Sequence, residues 1–408
     1  MVDARHESVY QVAIGGRVLA HLYRRGDYTW LEWQDGYWDD PRRPVLGLRF
    51  EDRPRAPIAS ALRLPTWFSN LLPEGRLRDW VAKDAGVNPE REMLLLERLG
   101  SDLPGAVTVV RVDHPADPRW RPDEIVQTAR EKFSAQGAIL RFSLAGVALK
   151  FSMLQDGDRL TLPASAQDGD WIVKLPDLNY PNLPNNEFAM MSMASLVGIE
   201  VPDLRLLHRD ELPPLPKEAW PNGQEFGYAI KRFDRSGDGR IHMEDLAQVK
   251  GVYPNRKYEG SYETAAAYVY RSRDLDSYLE FVRRLFFSVA IGNSDMHLKN
   301  ISIIYPDGRR PKISPAYDIV STAPYHPDFN ELSLRLGRTR LMARVNMAAF
   351  AQLAQVVGAP VGETCETIRS VASQVPDAWA SVRDDLQMLP SHQVWLDNRI
   401  PQIVKEFS

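Results

Sequence analysis

The centre of this chain reads Phe287-Ser-Val-Ala-Ile-Gly-Asn-Ser-Asp-Met-His-Leu-Lys-Asn-Ile-Ser-Ile-Ile-Tyr305. Apolar residues at helical spacing lead into it, from Tyr278 to Ile291, and a β-branched run from Ile301 to Tyr305 predicts a short strand at its end. Catalytic groups are common in a polar loop between a helix and a strand, because the flanking elements fix its backbone. The stretch therefore predicts a rigid loop that carries chemistry.

The spacing of the polar residues in this loop indicates the kind of chemistry. Asp295 and Asn300 are separated by four residues, as in a kinase catalytic loop, where the Asp accepts the proton of the attacking hydroxyl and the Asn holds magnesium. A second carboxylate should follow on the next turn to bridge magnesium to the phosphates, and Asp318 has that place. The pattern predicts a phosphoryl-transfer site.

A lysine lies upstream in the apolar segment Trp171-Ile-Val-Lys-Leu-Pro176. Lys174 is either a surface lysine of an alternating strand or the strand lysine that pairs with nucleotide phosphates in kinases. The helix that follows is predicted to start at Asn185 or Asn186, with Glu187 in its first turn. Glu187 is then either a partner of the helix dipole or the carboxylate that positions Lys174.

A glycine turn precedes this lysine, in the segment Leu140–Leu154. Gly146 lets the backbone approach a phosphate closely, and Lys150 follows four residues later. One Gly and one Lys make a weak motif, so a plain β-turn is an equal alternative.

The whole chain has the composition of a globular protein. Its 408 residues are 44% hydrophobic and 25% charged, which suffices for two or three domains or one two-lobed enzyme. The net charge of −4 argues against charge-driven binding of nucleic acid by the chain as a whole. A single cysteine, Cys365, cannot form an internal disulfide, and no apolar run approaches eighteen residues, so we expect a cytoplasmic protein without a membrane span.

Local signals predict the outline of the fold. Gly15-Gly16 predicts a hairpin between two short strands, a helix is expected from Trp67 to about Ala85, and Asn88 is expected to cap the next one. The proline-rich segment 112–122 predicts a domain boundary. Beyond Asp245 the chain is predicted to be mainly helical, with prolines between the C-terminal helices.

Taken together, these stretches resemble the HipA-type serine/threonine kinases, the toxins of bacterial toxin–antitoxin pairs. The matching pieces occur in family order over nearly the whole chain; they are Phe68–Gly75, Gly100–Val107, Ser143–Gly146, Ile172–Pro176, Asn186–Glu187, Arg232–Arg235, Met243–Gln248, Gly292–Asn300 and Pro315–Asp318. The resemblance implies an α+β fold: a two-lobed protein-kinase-like fold with an extra N-terminal α/β subdomain and an all-α C-terminal lobe. The implied domains are residues 1–112 (N-terminal subdomain), 123–235 (small lobe) and 236–408 (large lobe).

The resemblance also implies a role for each matching residue. Asp295 would be the catalytic base, Asn300 and Asp318 would hold Mg²⁺, and Ser143 would be the autophosphorylated serine. The residues implied to bind ATP are Ala145, Gly146 and Lys150 of the phosphate loop, Lys174, the hinge residues Lys231, Arg232 and Phe233, and His297, Lys299, Asn300, Tyr317 and Asp318.

The implied partners are a HipB-like helix-turn-helix antitoxin, operator DNA contacted mainly through that antitoxin, and a protein target, for which an aminoacyl-tRNA synthetase is the candidate. The chain departs from the family at Ala148-Leu149, where members commonly carry a Gln before the loop lysine. This departure leaves a second hypothesis open, an inactive pseudokinase that only binds antitoxin and DNA. A small-molecule phosphotransferase shares the catalytic logic but does not explain residues 1–110.

Overall fold

The computed structural model describes most of the chain. The described residues are 7–112, 150–156, 159–161, 169–215, 219–237, 239–326, 330–384 and 388–407. Within these ranges, no helix is both long and apolar enough to cross a membrane. Ser143, Ala145 and Gly146 lie outside them, as do residues 113–122 of the segment predicted to form a domain boundary.

The chain forms two compact units. The first unit comprises Met1–Phe142, Asp234–Lys257 and Ile304–Arg310; the second unit comprises Ser143–Phe233, Tyr258–Ile303 and Pro311–Ser408. Both units draw on segments that are distant in sequence. The three-part division at 112, 123 and 235 stays a prediction.

The first unit is built on a five-stranded antiparallel sheet. Its strands are β1 (Glu7–Ile14), β2 (Arg17–Arg25), β3 (Tyr28–Trp33), β4 (Ile58–Ala61) and β5 (Val107–Val112), in the order β4-β3-β2-β1-β5. The predicted hairpin joins β1 to β2, and both turn glycines have positive φ, +56° at Gly15 and +78° at Gly16. Such a two-residue turn matches the right-handed twist of the strands it joins.

Short helices complete the first unit, namely α1 (Leu48–Asp52), α2 (Thr66–Ser69), α3 (Gly75–Asp84), α4 (Glu92–Leu99) and, much later in the chain, α6 (Leu246–Lys250). The single helix predicted from Trp67 to Ala85 is wrong, because Pro73 lies in the gap between α2 and α3 and a proline disfavours helical backbone at the residue before it. The predicted cap Asn88 instead accepts a hydrogen bond from the backbone of Glu90 (2.8 Å), in the turn before α4.

The second unit begins with another five-stranded sheet. Its strands are β6 (Lys150–Asp156), β7 (Arg159–Thr161), β8 (Trp171–Lys174), β9 (Leu204–His208) and β10 (Phe226–Lys231), in the order β7-β6-β8-β10-β9. Helix α5 (Leu183–Leu196) contacts β9 and β10. A small sheet with one helix against it is the arrangement expected of a kinase small lobe.

Helix α5 starts earlier than its sequence suggested. Its N-cap is Asn182, in the left-handed region at φ +56°, and Pro184 lies in its first turn. Proline is tolerated there because its missing N–H has no partner within the helix. Asn185 and Asn186, the predicted caps, are buried inside the helix, and Glu187 therefore falls beyond the first turn.

The rest of the second unit is mainly helical. Its helices are α7 (Tyr262–Val269), α8 (Leu275–Ile291), α9 (Met347–Val357), α10 (Val361–Val382) and α11 (Pro390–Phe407). Two predicted details are wrong: Pro376 and Pro401 lie inside α10 and α11, and residues 236–408 are not all helical. The short strands after residue 234 are β11 (Arg235–Ser236), β12 (Gly239–Arg240) and β13 (His242–Asp245) in the first unit, then β14 (Ser302–Tyr305), and β15 (Lys312–Ile313), β16 (Glu331–Leu336) and β17 (Thr339–Leu341) in the second unit.

Helix α8 leads directly into the central loop. The side chain of Asp274 caps its first turn, and Gly292 ends it at φ +67°. A side chain at Gly292 would be strained by this φ and would also collide with the ring of Trp395, 2.3 Å from the position of an added Cβ. This glycine thus fixes where the helix stops and the loop begins.

A buried histidine near the start of α11 is expected to make the stability of the protein sensitive to acid. The ring of His392 is 1% exposed, packs at 4.3 Å from the ring of Tyr325, and has no hydrogen-bond partner at either nitrogen. Burial lowers the pKa of His392 to about 4. The neutral ring fits this site, whereas the charged ring would be buried without a partner.

We expect His392→Leu to reduce the acid sensitivity of the protein. A depressed histidine pKa contributes stability that is fully present above the unfolded-state value and is lost as the pH falls from about 6.5 toward 4. Between pH 7 and pH 4.5 the parent should lose about 2 kcal/mol more unfolding free energy than the variant. Urea unfolding at both pH values measures this difference, with His21→Leu on the partly exposed surface as control; an equal loss in parent and His392→Leu would contradict it.

Candidate active site

Lys174 ends β8 between two carboxylates of the second unit. Its Nζ lies 2.5 Å from Oε1 of Glu187 on α5 and also contacts Oδ1 of Asp318. The lysine side chain is 14% exposed and the glutamate 4%. The structure therefore brings together a strand lysine, a helix glutamate and the aspartate that follows the central loop.

The three charges set one another's protonation. Burial alone would lower the pKa of Lys174, but the negative charges of Asp318 and Glu187 outweigh it and raise that pKa. Burial raises the pKa of Asp318, and Lys174 and Lys150 together reverse this and lower it to about 2. Burial raises the pKa of Glu187 to about 7 against the opposing effect of Lys174. The charged Lys174 thus keeps the carboxyl of Asp318 ionised.

Lys150 lies directly beside Lys174. The antiparallel register of β6 and β8 pairs the two lysines, and β10 places Tyr228 opposite Lys174 on its other side. Directly opposed residues point to the same face of a sheet, so both lysines belong to the face that meets Asp318. Lys150 is the more exposed of the two.

Helix α5 also holds the backbone that follows Asp318. The amide of Asn186 exchanges two hydrogen bonds with the main chain of Ser321, one donated to its carbonyl (2.9 Å) and one accepted from its N–H (3.1 Å). Asp318 itself has φ +56°, a conformation that costs energy for any residue except glycine. These two hydrogen bonds, the Asn186 clamp, fix the segment, so helix α5 positions both Glu187 and the backbone next to Asp318.

The central loop is stabilised by its own side chains. Asn293 Oδ1 accepts a hydrogen bond from the N–H of Asp295 (2.9 Å), and Asn300 donates its Nδ2 to the carbonyl of Asp295 (2.9 Å). Outside the loop, Thr322 Oγ1 accepts from the N–H of Ser294 (2.7 Å). These bonds fix the backbone of Asp295 on both sides, as the sequence led us to expect of a rigid loop.

The carboxylate of Asp295 faces two aromatic side chains. The phenol of Tyr258 donates to its Oδ1 at 3.3 Å, and Nε2 of His297 lies 3.8 Å from the same oxygen. The rings of Tyr258 and His297 meet edge to face, 5.1 Å apart. Sequence reasoning missed Tyr258, because it lies in a loop 37 residues before Asp295 and belongs to no local pattern that points to the base.

Asn300 and Asp318 have the donor atoms that Mg²⁺ prefers. Magnesium is bound in proteins by one or two oxygen ligands together with substrate phosphates and water. Asn300 uses its Nδ2 toward Asp295, which leaves its amide oxygen as the atom for a cation, and Asp318 supplies an ionised carboxylate. In the described part of the chain, no group of three or more His, Cys, Asp or Glu residues forms a metal-binding cluster; a two-ligand magnesium site does not require one.

The predicted hinge residues are partly committed to structural contacts. Lys231 pairs with Asp203 through its side chain (2.9 Å) and its N–H, and it points to the sheet face opposite Lys174. The N–H of Arg232 donates to the carbonyl of Asp170 (2.7 Å). The backbone N–H groups of these two residues are therefore already used within the protein.

Phe233, the last of the predicted hinge residues, packs near a tyrosine that contacts the central loop. The ring of Phe233 lies 5.8 Å from that of Tyr317, with 32° between their planes. The hydroxyl of Tyr317 donates to the carbonyl of Lys299 (2.9 Å), next to Asn300. The rings of Phe233 and Tyr317 thus form an aromatic surface in the second unit, next to the central loop, against which a flat ring system could stack.

Two family models match the chain. The model described as HipA N-terminal domain covers residues 10–110, and the model described as HipA-like C-terminal domain covers residues 142–379. The second match alone includes more than half of the chain and contains every candidate site residue named above. The resemblance inferred from short motifs is therefore confirmed.

Relatives match along most of their length. The chain is 41% identical to a putative kinase, Y4dM, of Sinorhizobium fredii over 414 residues, covering 98% of this chain and 99% of the relative. It is 25% identical to the serine/threonine-protein kinase toxin HipA of Shewanella oneidensis over 359 residues, 79% and 77% of the two chains.

A solved structure supports the fold. It is the complex of HipA, HipB and operator DNA from Shewanella oneidensis, which matches with a TM-score of 0.74 at 20% identity and covers 97% of this chain and 96% of that one. At this identity the match shows the fold and confirms the predicted α+β, kinase-like class. The chain belongs to the HipA family, and its fold is that of a HipA-type kinase.

Proposed function

We propose that this protein is an ATP- and Mg²⁺-dependent serine/threonine protein kinase of the HipA toxin type. The observation that carries the proposal is the contact of Lys174 with both Glu187 and Asp318, in the unit that also holds Asp295 and Asn300. This is the set of groups that phosphoryl transfer from a nucleotide requires. The homologues' descriptions as kinase or putative kinase agree with it.

Each group has a definite task in this proposal. Lys174 and Lys150 pair with the phosphates of ATP, and Glu187 keeps Lys174 in place. Asp295 accepts the proton of the acceptor hydroxyl while that oxygen bonds to the terminal phosphorus, the bond from this phosphorus to the bridging oxygen breaks, and ADP leaves. Positioning and charge stabilisation supply the rate, since the protein forms no covalent intermediate.

Magnesium would be held by Asn300 and Asp318, where it would neutralise charge on the phosphates. The adenine would stack near Phe233, next to Tyr317, and hydrogen-bond through hinge backbone groups other than the N–H groups of Lys231 and Arg232. His297 and Lys299 would line the phosphate end of the site.

The proposed regulation has two parts. A HipB-like helix-turn-helix antitoxin would neutralise the kinase in the cytoplasm and carry it to operator DNA, as the matched complex contains HipA, HipB and operator DNA. Phosphorylation of Ser143 would add nearly two negative charges beside the anionic nucleotide and switch the enzyme off. The acceptor is a protein serine or threonine, and an aminoacyl-tRNA synthetase as target stays a prediction.

Intact-mass analysis tests the proposal directly. After incubation with Mg-ATP, the parent should gain the mass of a phosphate, whereas parent with EDTA should not, and Ser143→Ala should lose the gain while its thermal midpoint still rises with Mg-ATP. Phosphatase treatment before the assay removes any phosphate present on purification. Asp295→Asn, prepared in the same way, controls for contaminating kinases.

Two results would redirect the proposal. Phosphorylation of Ser143→Ala at the parent's stoichiometry would contradict the Ser143 assignment alone. Failure of the dephosphorylated parent both to gain mass and to show a magnesium-dependent thermal shift with ATP would favour the pseudokinase that binds antitoxin and DNA.

A further inference from the structure

The phenol of Tyr258 touches the proposed catalytic base. Its hydroxyl lies 3.3 Å from Oδ1 of Asp295, and the phenol is the donor in this pair. The carboxylate side chain is 9% exposed, so few water molecules can reach it. A hydrogen bond to a carboxylate that is largely shielded from water has a large influence on where that carboxylate points.

Tyr258 and the central loop are attached to the same hairpin. Arg340 on β17 donates to the carbonyl of Tyr258 (3.1 Å) and to the carbonyl of Ser333 on β16 (2.5 Å). Ser333 in turn donates its hydroxyl to the carbonyl of Ser294, the residue before Asp295 (2.6 Å). One short hairpin therefore fixes the main chain on both sides of the contact.

The hairpin is itself anchored on helix α7. Ser261, which caps the helix, forms a β-bridge with Arg335 of β16, and Glu263 in its first turn accepts the N–H of Gly337 (2.6 Å). Tyr262 donates its hydroxyl to the carbonyl of Met296, the residue after Asp295 (3.1 Å). The segment that carries Tyr258 is thus held in a fixed relation to the loop that carries Asp295.

We propose that Tyr258 is a positioning residue for Asp295. By donating to Oδ1, the phenol selects the orientation in which the carboxylate accepts the proton of the acceptor hydroxyl. Misdirection of a reacting group lowers the rate of transfer without weakening the binding of the nucleotide. The inference rests on the proposed function, since it assigns a task within the same transfer reaction.

The inference predicts a specific kinetic signature for Tyr258→Phe. The variant keeps the ring and its contact with His297 and loses only the hydroxyl. The rate of self-phosphorylation at saturating Mg-ATP should fall by about tenfold, as for loss of a hydrogen bond to a charged group. The Mg-ATP concentration that gives half of this rate should not change. Tyr270→Phe, which removes a phenol hydroxyl elsewhere in the same unit, should match the parent.

A double-variant cycle separates positioning from a general structural role. Rates are followed with radiolabelled ATP for the parent, Tyr258→Phe, Asp295→Asn and the double variant, and acceptance of phosphate by myelin basic protein is measured in parallel. If Tyr258 acts through the carboxylate, its loss should not slow Asp295→Asn further. An equal slowing in both backgrounds, no slowing, or a faster Tyr258→Phe would overturn the inference while the kinase remains. A parent that transfers no phosphate to itself or to myelin basic protein would instead overturn the proposed function.

Discussion

Asp295→Asn is expected to reduce phosphoryl transfer by about 10³-fold, within the range that a positioned general base contributes. The amide keeps the size of the side chain, so the backbone bonds of Asp295 with Asn293 and Asn300 should survive. The variant loses the carboxylate, and the amide that replaces it is too weak a base to accept the proton of the hydroxyl. The measurement is the initial rate of phosphate incorporation from radiolabelled ATP.

The nucleotide itself should still bind to this variant. Lys174, Glu187 and Asp318 are unchanged, so the thermal shift with Mg-ATP should equal that of the parent. Asp384→Asn makes the same chemical change at a surface aspartate and should leave the rate unchanged. Full activity in Asp295→Asn would remove Asp295 from the role of base.

The central loop could be predicted because its signals are local. Helical spacing ends at Gly292, a β-branched strand follows, and the polar residues of chemical interest lie between them. The structure has the helix as Leu275–Ile291 and the strand as Ser302–Tyr305, close to the predicted limits. Each of these boundaries depends on residues within a few positions, such as the cap Asp274 and the left-handed Gly292.

The contacts that assemble the site could not be predicted from local pattern. Lys174 meets Asp318 across 144 residues, and Asn186 meets Ser321 across 135. The resemblance to kinases suggested which residues meet, but no periodicity or spacing encodes a contact between side chains so distant in the chain. Tyr258 was missed for the same reason, because its contact with Asp295 spans 37 residues and the tyrosine belongs to no catalytic motif.

The predicted start of helix α5 is wrong, although it followed a local preference for capping residues. Asn185 and Asn186 are good capping residues, but a helix that begins at Leu183 places Pro184 in its first turn and buries both asparagines. Burial then gives Asn186 a different task, the clamp on Ser321. The preference for a cap was overridden by tertiary contacts, which a sequence pattern does not contain.

Lys174→Met should harm both activity and stability. The rate of phosphoryl transfer should fall by about 10²-fold or more, as expected when one fixed charge is removed from the transition state. Removing the cation also leaves Glu187 and Asp318 close together without their shared partner. Breaking a buried pair from one side costs about 3 kcal/mol of unfolding free energy. Urea unfolding and the rate assay measure the two effects separately.

A second change distinguishes these two effects. In Lys174→Met combined with Glu187→Gln, a neutral amide replaces the buried carboxylate of Glu187, so much of the lost stability should return. Activity should not return, because no cation is restored to the phosphates. Lys405→Met, an exposed lysine on α11, controls for the loss of a positive charge in general. If the double variant is as unstable as Lys174→Met, the instability arises from packing. If Lys174→Met keeps the parent's rate, Lys174 does not bind the phosphates and the lysine–glutamate pair is structural only.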